Sequence, residues 1–112
     1  MCGGDEETFA DAKPVLEGMG GYVVRMGGAG SGAAAKLINQ QLTASNALAA
    51  TEGLALAREM GMSGTDLGPL LKLLERSWGN STMLQRTGGI VAEALQTADA
   101  RKALSADAMA PL

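Results

Sequence analysis

Histidine is absent from the 112 residues of the chain, and cysteine occurs once, as Cys2. Without histidine, the chain cannot form a Ser-His-Asp or Cys-His catalytic arrangement, nor most of the zinc sites that proteins use. A single cysteine cannot form a disulfide within the chain. We therefore expect no bound metal and none of the hydrolytic chemistry that depends on histidine.

Aromatic residues and long apolar runs are also scarce. Phe9, Tyr22 and Trp78 are the only aromatic residues, so aliphatic side chains must build the core. No run of about 18 apolar residues occurs, which argues against a transmembrane helix. The net charge of −3 gives no electrostatic reason to bind nucleic acid or an anionic membrane. No basic segment precedes an apolar one at the N-terminus, so we expect a soluble intracellular protein, or an organellar one if a transit peptide lies upstream.

Glycine and alanine are abundant, above all between residues 27 and 60. The segment 27–32 contains four glycines and predicts a turn, and a helical pattern then continues to Met60, where Gly61 ends it. Apolar residues form two stripes along this helix, so we expect it to be buried on most sides and to be the structural centre. One stripe contains Ile38, Leu42, Ala49, Leu56 and Met60, and the other contains Leu37, Ala44, Leu48 and Ala55.

Four polar side chains interrupt the apolar surface near the start of this helix. At about 100° per residue, Lys36, Asn39, Gln40 and Thr43 fall within about a third of the helix circumference. Lys36 lies near the helix N-terminus, where the helix dipole disfavours a cation, eases loss of its proton and attracts anions. The spacing alone fits either a solvated polar strip or a ligand-binding site.

The same turn also matches a loose dinucleotide-binding pattern, Gly30-x-Gly32-x-x-Ala35, with Glu52 20 residues after Gly32. A dinucleotide-binding unit needs a second strand shortly before that acidic residue. Residues 46–51 follow a helical pattern instead. We therefore interpret the turn as the start of a helix and not as a pyrophosphate-binding loop.

The other segments predict one strand and several shorter helices. Residues 1–7 are interpreted as a polar lead-in to a helix over about Glu6–Gly18, which contains Pro14, and Tyr22–Met26 is predicted as a strand. Residues 63–66 supply capping residues for a helix that ends near Ser77, with Pro69 in its first turn.

Beyond that helix the pattern weakens. Trp78 favours a packing role over a role as a ligand platform. A short helical pattern begins at Met83-Leu84 and is cut by Gly88-Gly89, and weak helical patterns follow at 90–96 and 100–109. No site residue is assigned to residues 87–112.

The spacing Gly27-x-x-Gly30-x-Gly32-x-x-x-Lys36-x-x-Asn39-Gln40 resembles the signature of the β-hydroxyacid dehydrogenase family. That family includes 3-hydroxyisobutyrate dehydrogenases, tartronate semialdehyde reductases and, more distantly, 6-phosphogluconate dehydrogenase. The similarity continues, in the same order, in four further segments: Gly3–Glu7, Lys13–Gly20, Ala50–Ala57 and Ser77-Trp78. It covers about residues 3–86.

The resemblance implies roles for individual residues. Lys36 would be the catalytic lysine, and Asn39, Gln40, Gly30 and Gly32 would face the substrate. Asn80 and Ser81 would lie near the substrate pocket of the assembled enzyme. Many members have asparagine where this chain has Gln40, and an Asn-Gln pair is similar to the tartronate semialdehyde reductase branch.

The resemblance also implies an architecture. The fold would be mainly α, like the C-terminal domain of 6-phosphogluconate dehydrogenase, with one long central helix packed by shorter helices and one short strand left from a Rossmann-like domain. Residues 1–28 would end that NAD(P)-binding domain, and residues 29–112 would form part of a helical substrate and dimerisation domain.

The complete enzyme would use NAD or NADP, act on a small hydroxyacid or its semialdehyde, and form a homo-oligomer, while this chain alone would be inactive. The residues leave one alternative open, a non-enzymatic helical dimerisation or interaction module, in which Lys36 is an ordinary surface charge.

Overall fold

A computed structural model of the chain describes residues 1–62 and 64–108, with side chains described through residue 99. Its helices are α1 (Glu6–Glu17), α2 (Ser31–Glu59), α3 (Gly64–Leu74) and α4 (Thr82–Ala108). The predicted mainly α fold is therefore confirmed. Across the described residues, no helix combines the length and apolarity needed to cross a membrane. The chain divides into two compact units, residues 1–43 and residues 44–112. The predicted domain boundary after residue 28 stays a prediction.

Helix α1 begins and ends where its capping residues require. The Asp5 carboxylate accepts a hydrogen bond from the Thr8 backbone N–H at 2.8 Å, which satisfies one of the free donors at the helix N-terminus. Gly18 is the C-cap, and its N–H donates back to the last turn. Pro14 lies within the helix without ending it. The helix predicted over Glu6–Gly18 is thus confirmed to within one residue.

The strand predicted over Tyr22–Met26 is wrong, because Arg25 is the only residue of this segment that takes part in β pairing. Arg25 forms an isolated parallel bridge with Cys2. The Cys2 N–H donates to the Val24 carbonyl at 2.9 Å, and the Met26 N–H donates to the Cys2 carbonyl at 2.8 Å. A strand with a single short neighbour is only marginally stable, so the ladder does not extend beyond this pair. The backbone of residues 2–4 therefore forms hydrogen bonds with residues 24–27. The interpretation of these residues as a polar lead-in is wrong.

Helix α2 has the predicted length and the predicted end. Gly61 adopts a φ of 90°, which favours glycine, and the Met62 N–H donates to the Ala57 carbonyl at 3.1 Å while the Gly61 N–H donates to Arg58. These two bonds are the Schellman arrangement that closes a helix C-terminus. Met62 then packs against the core that contains Ala57.

The expectation that α2 is buried on most sides is wrong. Every member of the stripe from Ile38 to Met60 is exposed, and in the other stripe only Ala55 is partly buried. The residues that pack lie on a third line, through Ala47, Ala50, Leu54 and Ala57. In residues 44–112, Leu54 and Ala57 join Leu67 of α3 and Ala92 of α4 in one apolar cluster. Within residues 44–112, α3 and α4 cover this line, and Leu48, Ala49 and Leu56 of the two stripes stay exposed.

Helix α3 ends at Leu74, short of the predicted end near Ser77, and helices α3 and α4 differ from the sequence prediction in two further details. Pro69 is the sixth residue of α3 and so lies beyond the first turn. Helix α4 runs unbroken through Gly88 and Gly89. The Leu71 side chain explains why position 88 is a glycine, since it lies 2.7 Å from the position that a Cβ on Gly88 would occupy. The capping role predicted for Ser63 and the helix end at Met109 lie outside the described residues.

Candidate active site

The glycine-rich turn before α2 is closed by its own hydrogen bonds. The Ser31 side chain donates to the Gly28 carbonyl at 2.7 Å, and the Ser31 N–H donates to the same carbonyl at 3.1 Å. Gly30 has a φ of 86°, a conformation that side chains with a Cβ rarely adopt. The Ala34 N–H then donates to the Gly30 carbonyl at 3.0 Å and starts the helix. The glycine at position 30 is therefore explained by the sharp entry into α2.

Residues 2–4 cross directly over the first turn of α2. A Cβ placed on Gly32 would lie 2.8 Å from the Gly3 nitrogen and 2.8 Å from the Cys2 carbonyl carbon. A Cβ placed on Gly3 would lie 2.7 Å from the Gly28 carbonyl oxygen and 2.9 Å from the Gly32 nitrogen. All of these obstacles are backbone atoms, so neither position has room for a side chain. The structure thus gives Gly32 a packing role, and its contact with substrate stays a prediction.

The polar cluster of α2 lies on one face of a continuous helix, as its spacing predicts. Lys36, Asn39 and Gln40 are exposed and Thr43 is half-buried. The Asn39 amide nitrogen donates to the Gln40 side-chain oxygen at 3.5 Å, the outer limit of a hydrogen bond. The Thr43 hydroxyl donates to the Asn39 backbone carbonyl at 2.8 Å. The two carboxamides keep most of their hydrogen-bonding capacity for another molecule.

The surroundings of Lys36 leave its ammonium available to a ligand. The first turn of α2 carries no acidic residue. The ion pairs among described side chains join Lys13 to Glu17 and Arg58 to Asp99, and neither involves Lys36. One cation beside two carboxamides can bind the oxygen atoms of a small polar substrate, and the ammonium can also supply or accept a proton.

A concave surface lies within residues 44–112. Helix α2, the loop after α3 and the start of α4 form an open cleft of about 380 Å³, and the described side chains that line it are uncharged. Gly53 forms part of its floor, with nothing within 4 Å of a Cβ placed there. Trp78 lies at this cleft with its indole fully exposed, so the packing role expected for it is wrong within this chain.

Asn80 and Ser81 also line the cleft, but both have structural partners. The Asn80 side-chain oxygen accepts a hydrogen bond from the Gln85 amide at 3.2 Å. The Ser81 hydroxyl accepts from the Leu84 N–H at 3.0 Å and thereby caps α4. These bonds account for both residues without a ligand, and their predicted place near a substrate pocket stays a prediction. The sequence contains no periodic signal that would have located the cleft.

The glycine turn does not fit the pyrophosphate of a dinucleotide. A pyrophosphate needs open backbone N–H groups and a glycine that allows close approach. Here Gly32 is covered by residues 2–3, and the N–H groups of Ser31 and Ala34 are already bonded within the turn. Residues 46–51 are helical as predicted, so the described part of the chain has no strand before Glu52. No group of three metal-binding side chains occurs among the described residues either.

Comparison with known proteins gives a consistent result. Residues 30–110 match the model of a family described as NAD-binding of NADP-dependent 3-hydroxyisobutyrate dehydrogenase. A probable 3-hydroxyisobutyrate dehydrogenase of Mycobacterium tuberculosis is 43% identical over 67 residues, which is 60% of this chain and 23% of that protein. The probable mitochondrial enzyme of Arabidopsis thaliana is 36% identical over 81 residues, 71% of this chain and 23% of that protein.

The human protein named 3-hydroxyisobutyrate dehydrogenase, mitochondrial, is 35% identical over 83 residues, which is 73% of this chain and 25% of that protein. The chain therefore spans about a quarter of the length of the curated relatives that it matches. Lys36, Asn39 and Gln40 all lie within the matched range 30–110.

Proposed function

The chain belongs to the family of NADP-dependent 3-hydroxyisobutyrate dehydrogenases, and on that premise we propose that it supplies the lysine-bearing helix of an oxidoreductase for a small hydroxyacid or its semialdehyde. The observation that carries the proposal is the placement of Lys36, Asn39 and Gln40 on one exposed face at the start of α2. In this proposal the chain is a segment of a longer enzyme and is inactive alone.

Lys36 would handle the proton of the substrate hydroxyl. In the direction of reduction, its Nζ–H donates a proton to the oxygen of the forming alkoxide, and in oxidation the neutral amine accepts that proton. The same ammonium stabilises negative charge on this oxygen, which is the larger contribution in many enzymes. The N-terminal end of the α2 dipole also attracts an anionic substrate.

Asn39 and Gln40 would orient the substrate. A carboxamide offers two N–H donors and a carbonyl acceptor, which suit the carboxylate and the hydroxyl of a hydroxyacid. Binding both groups fixes the reacting carbon relative to Lys36 and reduces the entropy that the reaction must lose. The proposed cofactor is NAD or NADP, in keeping with the NAD-binding family that residues 30–110 match, and its pyrophosphate would bind away from the glycine turn, which does not fit it.

We also propose that a second copy of the protein covers the apolar stripes of α2. Leu37, Ile38, Leu42, Leu48 and Leu56 are exposed large apolar side chains on this one helix. Exposed apolar patches beyond a few hundred Å² usually mark interaction surfaces. Sedimentation of the chain should show self-association that increases with concentration, and a concentration-independent monomer would contradict this part of the proposal.

The same exposed stripes favour a second candidate function, a non-enzymatic dimerisation module. In that case Lys36 would be a surface charge without a catalytic task. Substitution of Lys36 separates the two functions, because only the enzyme requires an amine at this position.

The test uses the complete protein with a panel of short 2- and 3-hydroxyacids and their semialdehydes. We expect Lys36→Ala to lower kcat by about 10²-fold or more, the usual scale for a lost acid–base group. Lys72→Ala is the matched control, since Lys72 is an exposed lysine on α3, and should leave kcat unchanged. A Lys36→Ala enzyme with the wild-type kcat on its best substrate would refute the proposal.

Two further variants divide the roles within the cluster. Lys36→Arg should not restore the rate, because a guanidinium does not release its proton near neutral pH. Gln40→Ala should mainly raise KM for the hydroxyacid, as expected for a contact made in both the ground and transition states. A Gln40→Ala enzyme with a lower kcat and an unchanged KM would contradict its positioning role.

A further inference from the structure

We infer that Gly3 and Gly32 are positioning residues for Lys36: the contact between their backbones sets where the lysine-bearing turn of α2 lies. The inference rests on the proposed function, because it gives these glycines a task only if Lys36 acts on the substrate. The resemblance placed Gly32 at the substrate and assigned no role to Gly3 beyond similarity. The structure shows both glycines packed against each other's backbone.

The segment that contacts Gly32 is itself firmly held. Cys2 exchanges two backbone hydrogen bonds with Val24 and Met26, and the Gly4 N–H donates to the Gly27 carbonyl at 3.0 Å. The Arg25 side chain adds a bond from Nε to the Gly4 carbonyl at 2.9 Å. Residues 2–4 are thus bonded at both ends to residues 24–27, and they form a fixed support for the first turn of α2.

Other contacts contribute little to holding that turn. Gly32 is the only buried residue among residues 1–43, and Ala33 and Ala34 beside it are exposed. Ser31 bonds only back to Gly28 in the same turn. The approach of the Gly3 backbone to the Gly32 backbone is therefore the tightest contact described at the start of this helix.

Lys36 follows Gly32 by one helical turn, so a displacement at Gly32 is passed to Lys36 through a rigid helix. A Cβ at Gly32 would have to move backbone atoms that now lie 2.8 Å away. Real Cβ atoms do not approach so closely, so the helix start must shift by several tenths of an ångström or more. Misplacement of a catalytic group by about 1 Å can cost about 10²-fold in rate.

The experiment measures kcat of the complete protein for Gly32→Ala, alone and combined with Lys36→Ala. We expect Gly32→Ala to lower kcat about tenfold or more, and to cause no further loss in the Lys36→Ala background, because both changes remove the same contribution. Gly28→Ala is the control, since a Cβ there meets nothing within 4 Å, and it should leave kcat unchanged. Thermal unfolding of each variant is recorded in parallel.

The loss caused by Gly32→Ala with Lys36 present, compared with the loss in the Lys36→Ala background, decides between positioning and a general structural role. A structural role would lower kcat by the same factor with and without Lys36, and that result would overturn the inference. An unchanged kcat for Gly32→Ala would overturn it as well. A wild-type kcat for Lys36→Ala would instead refute the proposed function, so the two failures are distinguishable.

Arg25→Met covers the case in which Gly32→Ala does not fold. It removes the bond to the Gly4 carbonyl and adds no atom to the contact between the two glycines. We expect a loss of a few-fold in kcat that disappears in the Lys36→Ala background. A loss that persists there, or no loss in the presence of Lys36, would contradict the inference.

Discussion

Residues 1–43 bury a single residue, Gly32, whereas the described part of residues 44–112 buries five apolar side chains: Leu54, Ala57, Leu67, Leu84 and Ala92. The first unit is held by backbone hydrogen bonds and by the approach of one backbone to another. The second is held by aliphatic side chains, whose removal from water supplies the stabilising free energy. A substitution should therefore act differently in each unit, even where the change in residue type is the same.

Helix α2 contributes different residues to the two units. In residues 44–112 its Leu54 and Ala57 join α3 and α4 in the apolar core. In residues 1–43 it carries the exposed side chains of Lys36, Asn39 and Gln40. One helix thus serves as a core element and as a carrier of polar side chains.

The largest effect should come from the core of residues 44–112. Leu54 is 0% exposed, and Leu54→Ala should lower the free energy of unfolding by about 2–5 kcal/mol, because it removes buried methyl groups and leaves a cavity. Leu56 is 60% exposed, and Leu56→Ala should change the stability of the monomeric chain by less than about 0.5 kcal/mol. Chemical denaturation of the two variants, at a concentration below that of self-association, gives both values. Equal losses there would show that Leu56 is covered within one copy as thoroughly as Leu54.

Sequence patterns locate α1 and α2 well because their signals are local. The glycine at position 61, the acidic residues at the start of α1 and the long alanine-rich pattern of α2 indicate the bounds of these two helices. The polar cluster at Lys36 was likewise predictable, since the helical period alone places its members on one face.

Tertiary features were missed because no local pattern encodes them. Burial along α2 depends on where α3 and α4 pack, and a helix with apolar residues on most sides does not reveal which line they cover. The pairing of Cys2 with Arg25 joins residues 23 positions apart, so the glycines at the N-terminus resembled a simple lead-in. The sequence indicates a helix break at Gly88. The glycine is required there by the Leu71 side chain, which lies on another helix and leaves no local pattern.

Substitution of glycines inside helices by alanine should change stability by an intermediate amount. The sign and size depend on whether the space that the new Cβ would enter is open or occupied. A Cβ at Gly53 or Gly89 meets nothing within 4 Å, so Gly53→Ala and Gly89→Ala should each raise the free energy of unfolding by up to about 1 kcal/mol through helix propensity. Gly88→Ala should gain less, because the end of the Leu71 side chain must move first. Gly32→Ala should destabilise the chain, since its obstacles are backbone atoms. Equal shifts in thermal midpoint for all four variants would contradict this order.

The smallest effect concerns the caps of α1 and α4, which differ in chemistry. Asp5 caps α1 with a carboxylate, and the hydrogen bond from the Thr8 backbone N–H lowers the pKa of that carboxyl below its ordinary 3.8. Ser81 caps α4 with a hydroxyl that does not titrate in this range. Because the folded-state pKa of Asp5 is the lower one, its contribution to stability is complete above pH 3.8 and is lost as the pH falls through the folded pKa.

Acidification should therefore loosen the start of α1 and leave the start of α4 unchanged. The amide resonance of Thr8 should titrate with a midpoint below 3.8, while that of Leu84 should not follow the same curve. Asp5→Asn keeps a good capping residue and removes the titrating group, so it should abolish the Thr8 transition. A Thr8 transition that persists in Asp5→Asn would show that the cap is not its cause. A Leu84 transition of the same size would show that acid destabilises the whole chain, and the contrast between a charged and a neutral cap would then be lost.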